Sequence, residues 1–140
     1  MDLNKLRTDL NRESDGVWVD IGDGASIKVA RIGNPRHSAI LRKLSAPYRR
    51  QINAGTLPDD VAFRISGEAM ANAILLDWKG LELDGATLVY SQKAAKDVLC
   101  NQQLKDFRSQ VQAAAEDEEA FRQTVIEDAE KNSQSGLSGM

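Results

Sequence analysis

Between two stretches with helical apolar spacing lies WKGLELDGATLVYS, residues 78–91, and the rest of the chain must be arranged around it. Leu81 and Leu83, then Leu88 and Tyr90, alternate with polar or small neighbours. That is the period of a half-buried strand, not of a helix. Asp84-Gly85 separates the two halves, and Gly accepts the positive φ of such a turn without steric cost. Ser91 then stands where its hydroxyl can accept from the first free N–H groups of a following helix. The expectation is a short hairpin or extended loop pinned between two helices.

The helix before it begins at Leu57-Pro58-Asp59-Asp60, with two acids where the helix dipole favours them. Val61, Ile65, Ala69, Ala73 and Leu76 form its central stripe, widened by Ala62, Met70 and Ile74, and it is expected to end near Trp78 to Gly80. The helix after it, Gln92 to Cys100, turns Ala94, Ala95, Val98 and Leu99 inward. Asn101 then caps a last helix with a narrow seam of Leu104, Phe107, Val111, Ala114, Phe121 and Val125, in which the acidic run Glu116 to Glu119 either sits on the solvated side or marks a break.

Upstream, VWVDI and SIKVARI flank the turn-rich GDGA and predict a β-hairpin. Asn34-Pro35 suits an N-cap followed by the first helical position. Ile40, Leu41, Leu44, Tyr48 and Ile52 mark the face of that helix, and Pro47 inside it predicts a kink or a break. Leu3, Leu6 and Leu10 allow at most a short frayed helix within residues 1–15, taken as a flexible segment. The polar, glycine-rich end of the chain, 132–140, is expected to be disordered. The fold expected for 16–131 is mainly α within the α+β class: one domain of four to five helices, an N-terminal β-hairpin and a short central hairpin or loop. The expected core includes Trp18, Ile40, Leu44, Val61, Ile65, Ala69, Ile74, Leu99, Leu104 and Phe107.

Charge is unevenly placed. No acid lies between Gly24 and Pro58, where Lys28, Arg31, Arg36, Arg42, Lys43, Arg49 and Arg50 supply seven bases. From Asp59 onward fifteen acids face eight bases. Such asymmetry predicts solvated faces of opposite sign that attract within or between chains. Arg36, Arg42, Lys43, Arg49 and Arg50 are accordingly the self-association candidates, and a homo-oligomer is expected. A nucleic-acid patch is disfavoured, because Tyr48 is the one aromatic in the basic stretch and the whole chain is acidic. No run is apolar enough for a membrane span, and MDLNKLRTDL lacks the apolar centre of a signal peptide.

Catalytic constellations are hard to build. His37 is the sole histidine and reads as a surface residue beside a helix start. Cys100 falls on the apolar side of its helix and reads as a buried, inert thiol. Asp20 and Asp23 lack the remaining ligands of a calcium loop, and Gly22-Asp23-Gly24 is too short for a phosphate cradle. A non-enzyme with no metal and no cofactor is expected. Trp78 and Tyr90 bracket the central hairpin and should pack the helix–hairpin junction, with recognition as the competing role. Phe107, Val111, Phe121 and Val125 share one face if the last helix is continuous. A narrow apolar stripe with a polar rim can accept an amphipathic client helix.

Several stretches resemble the tail assembly chaperones of long-tailed bacteriophages: VWVDI with SIKVARIGNP, LRKLSAPYRRQINAGTLP, ILLDWKGLELDG, YS, and LKDFRSQVQAAAEDEEAF. They cover residues 16 to 122, and Asn101 departs from the break expected before the last helix. The resemblance implies a small, mostly helical protein in the cytoplasm of the infected host cell. It implies binding to the tape measure protein as client, with the tail tube protein as a further candidate partner, and departure before the tail is finished. The competing functions are a structural head–tail or tail component kept in the particle, and a nucleic-acid-binding regulator using Arg36 to Arg50.

Overall fold

The computed structural model describes residues 1–123. It is an α+β fold, mainly helical, with the expected β-hairpin at the N-terminal side. The hairpin pairs β1 (Val17–Gly22) with β2 (Ala25–Val29), antiparallel, with Trp18 opposite Lys28 and Val19 opposite Ile27. Val17, Val19 and Ile21 point inward toward the core, as their shared parity predicts. Trp18 has the opposite parity and lies on the outer face, 41 % exposed, with the Lys79 ammonium 4.1 Å from its ring centre. The expectation that Trp18 is core is thereby corrected: alternation along the strand overrides its size.

Asn34 caps α2 (Pro35–Ser45) by accepting from the His37 N–H at 3.0 Å. Its amide also donates to Arg31 O at 2.8 Å and Ala73 O at 3.2 Å, so one buried side chain ties two helix ends together. At Pro47 the helix tightens into a 3-10 turn, Ala46–Tyr48, and resumes as α3 (Arg49–Ala54). The proline thus makes a joint between two helices. Leu57-Pro58 leads into α4 (Asp59–Ala73), whose Ile65, Ala69, Met70, Ala71 and Ala73 are buried. Helix α4 packs on α2.

Helix α4 stops at Ala73, earlier than its apolar stripe predicts. Leu75–Lys79 forms β3 instead and adds to the hairpin, antiparallel to β2, giving the order β1-β2-β3. ILLDW is apolar on nearly every position, a pattern that serves either a buried helix end or a buried strand. The free edge of β2 decides between them, since its backbone groups need partners. The central segment then makes a minimal hairpin of β4 (Glu82–Leu83) and β5 (Ala86–Thr87). Asp84 and Gly85 hold it with φ of 53° and 79°.

Ser91 caps α5 (Gln92–Leu99) by accepting from Ala94 N–H at 2.9 Å, as expected. Asn101 caps a 3-10 turn, Gln102–Leu104, which runs into α6 (Lys105–Glu116). The last helix is not continuous. Asp117 leaves helical backbone geometry (φ −70°, ψ 102°), and a 3-10 turn, Glu118–Phe121, carries Phe121 into the core.

That core joins Ile27, Val29 and Leu75 of the sheet to Met70 of α4, Leu99 of α5 and Val111 of α6, with Phe121. Ile65, Ala69, Ile74 and Leu99 are buried as expected. Ile40, Leu44, Val61, Leu104 and Phe107 are only half-buried.

The first fifteen residues, expected as a loose segment, carry a 3-10 turn (Leu3–Leu6) and α1 (Leu10–Asp15), capped by Asp9. They clasp the far end of the described chain: Asp9 N–H donates to Phe121 O at 2.7 Å and Gln123 N–H to Arg7 O at 2.9 Å. Thr8 adds a hydroxyl bond to Glu13 at 2.6 Å, and Glu13 pairs with Arg31 at 3.6 Å. Leu3 and Leu10 stay exposed, so polar bonds and not their stripe hold the segment. The end expected as disordered, 132–140, lies outside the described residues.

Candidate functional site

Trp78 and Tyr90 build one wall of the site. Trp78 sits inward on β3, and its indole N–H donates to Leu88 O at 2.7 Å. The Tyr90 hydroxyl donates to Leu75 O at 2.9 Å, and the two rings meet edge to face with centres 4.9 Å apart. Burial, then the nearby Asp77 carboxylate, raises the Tyr90 pKa, with Arg36 opposing, so the hydroxyl remains a donor. Both polar tips are satisfied within the molecule. These residues therefore pin the central hairpin to the sheet, the packing role expected of large aromatics.

The pinned hairpin stands beside α5 and α6 and leaves an open groove of about 150 Å³. Leu81, Leu83, Leu88, Val98, Leu104 and Phe107 line it, with the exposed Glu82 among them. Leu83 is 40 % exposed there, on a strand of two residues, and Val89 close by in sequence is 77 % exposed. Leu83 is thus the exposed aliphatic side chain on the lining of this apolar groove.

The structure splits the four-residue seam proposed from periodicity. Phe107 is half-buried and lines the groove. Val111 and Phe121 are fully buried and offer no surface, which corrects their reading as contact residues. Val111 lies on the inner side of α6 itself, whereas Phe121 is carried into the core by the turn that follows the break at Asp117. Val125 lies outside the described residues. Leu83, Leu88 and Leu104 belong to the groove and were not recognised as site residues. For Leu83 and Leu88 the signal was the alternation in LELDGATLVY, and for Leu104 the spacing of the last seam, both of which read only as packing.

The basic residues are also divided. Arg42 and Arg49 line one cavity, whereas Lys43 lines another with Tyr48 and Arg64. Arg36 and Arg50 are exposed and belong to neither.

Neither reactive candidate is set up for chemistry. The Cys100 pKa is raised, first by burial and then by Glu68, which keeps the thiol protonated. His37, expected at the surface, is buried, and its Nδ1 accepts from Gly33 N–H at 3.0 Å. It seals the start of α2. Burial lowers its pKa, so as pH falls through about 6.5 the unfolded chain takes up the proton first. Stability is then complete above that pH and declines below it. Thermal midpoints should fall between about pH 7.5 and 5.5, and the fall should flatten in His37→Gln. An equal decline in both proteins would remove His37 as its source.

Among the described residues, no group of three or more His, Cys, Asp or Glu side chains gathers to hold a metal, and no helix is long and apolar enough to cross a membrane. Fold and groove together describe a small, mainly helical α+β protein with an open apolar groove. The chain belongs to a phage family: the model of the YdaY prophage protein family matches residues 32–132. The protein is thus phage-derived. Among curated proteins and solved structures, nothing matches it.

Proposed function

We propose that this protein is a tail assembly chaperone, which binds the tape measure protein in the host cytoplasm, keeps it soluble and leaves before the tail is finished. The observation that carries the reading is the open apolar groove between the central hairpin and α5–α6. Membership of a prophage family supports a role in making a phage, and the sequence stretches that resemble the chaperones supply the particular one. A tape measure protein is a long, apolar-rich helical chain, and holding it requires an exposed apolar seat and no catalysis. Release requires binding of moderate strength, which a groove of a few aliphatic side chains provides.

Leu83→Asp places a carboxylate in the groove at an exposed position. Pull-down of the tape measure protein of the same prophage, co-expressed, should weaken by at least about tenfold. The thermal midpoint should stay close to that of the parent, since Leu83 contributes little to the core. Capture that survives in the folded variant would place the client elsewhere. Finding the protein in purified tails by mass spectrometry would instead make it a structural tail component.

A further inference from the structure

A second surface lies across the proline joint and shares no residue with the groove. Arg42, Ser45, Ala46, Arg49 and Ile52 line an open cavity of about 210 Å³. Their spacings of three, four, seven and ten follow one face of the α2–α3 run. Among the described residues, Arg42 and Arg49 make no ion pair or hydrogen bond, and no acid occurs between Gly24 and Pro58 to offset them. Ile52 on the same cavity is 43 % exposed. The cavity thus combines the apolar side chains of Ala46 and Ile52 with two guanidinium groups, each a planar fork of donors matched to a carboxylate.

We propose that this cleft docks an acidic amphipathic helix of a partner protein. One apolar side chain of that helix enters the cavity against Ile52 and Ala46, and carboxylates on either side meet Arg42 and Arg49. Seven residues of helix span about 10 Å, so partner carboxylates seven positions apart match the two arginines. Charge complementarity selects the sign of the partner, and the exposed isoleucine selects a protein over a nucleic acid. A phosphate backbone has no use for Ile52 or Ala46. The one aromatic nearby, Tyr48, lines a different cavity and has its hydroxyl engaged by Arg64 at 3.0 Å. A second copy of this chain fits less well. A two-fold pair with its axis through this cleft would set arginine against arginine. In the acidic run from Glu116 to Glu119, Glu116 already accepts from Gln112, and Glu118 and Glu119 pair with Arg122.

The test uses the full chain and a labelled helical peptide with two glutamates seven positions apart and a leucine midway. Fluorescence anisotropy should show saturable binding that weakens with added salt. Arg42→Glu with Arg49→Glu should reduce it by at least about tenfold. The same doubly substituted protein should bind a peptide in which lysines replace the glutamates. Replacing the peptide leucine by serine should also weaken binding. Both arginines are exposed, so the thermal midpoint serves as the check on folding. Absence of saturable binding, or equal binding by the doubly substituted protein, overturns the proposal. So does tighter, arginine-dependent binding of a DNA duplex. Self-association in sedimentation that disperses in the doubly substituted protein would give the cleft to a second copy and overturn it too.

Discussion

Phe121→Ala should lower the free energy of unfolding by about 3–5 kcal/mol, the range for emptying a buried aromatic site. The side chain is fully enclosed in the core. Its carbonyl also accepts from the Asp9 N–H at 2.7 Å and the Thr8 hydroxyl at 3.2 Å, so a shift of this turn disturbs the N-terminal clasp as well. Small domains hold only about 5–15 kcal/mol in total, so this one substitution removes a large share. Urea denaturation measures it directly. A loss below about 1 kcal/mol would mean that the side chain is not enclosed in the core.

Gly80→Ala should be nearly as damaging, by about 2–4 kcal/mol. Gly80 ends the sheet and starts the central hairpin with φ of +75°. A side chain there costs about 1–2 kcal/mol through the left-handed backbone alone. Its Cβ would also collide with the Gly24 carbonyl oxygen and stand 3.2 Å from Ala25 Cα. Both are backbone atoms of the β1–β2 turn region, which cannot step aside as a flexible side chain would. The comparison is Gly85→Ala, which shares a positive φ of 79° but has nothing within 4 Å of the added carbon. It should cost only the backbone share. Equal midpoints for the two variants would show that the contact with Gly24 is relieved at no cost.

What could be read from the sequence was whatever local chemistry determines. Asn34, Ser91 and Asn101 were legible as caps because a side-chain oxygen next to a helix start has one efficient use. Asp84-Gly85 was legible as a turn, and the parity of VWVDI as a strand. The errors are non-local. Leu75–Lys79 becomes a strand because β2 has an edge to fill, and nothing in ILLDWK announces β2. Phe121 fits a helical seam by spacing, but Asp117 ends the helix and captures a turn of its own by accepting from Glu119 N–H at 3.1 Å. His37 looked exposed because its burial comes from the folded surroundings of the α2 start, where its ring accepts from Gly33 N–H. The groove follows the same rule. Phe107 was found by periodicity, whereas Leu83 and Leu104 meet only after the hairpin folds back beside α5 and α6.

The clasp between residues 7–9 and 121–123 sets an order in time. Thr8 and Phe121 are 113 residues apart. At about 5–20 residues per second of synthesis, the second half of the clasp emerges roughly 6–23 s after the first. Bringing the ends together also costs about 4 kcal/mol of chain entropy, which only the finished core repays. Until then the nascent chain can assemble its sheet and α4, but the slot for Phe121 stays open and the inner face around Ile27 and Leu75 stays wet. A ribosome stalled before Phe121 would therefore hold an apolar, unfinished chain that itself needs shelter from aggregation.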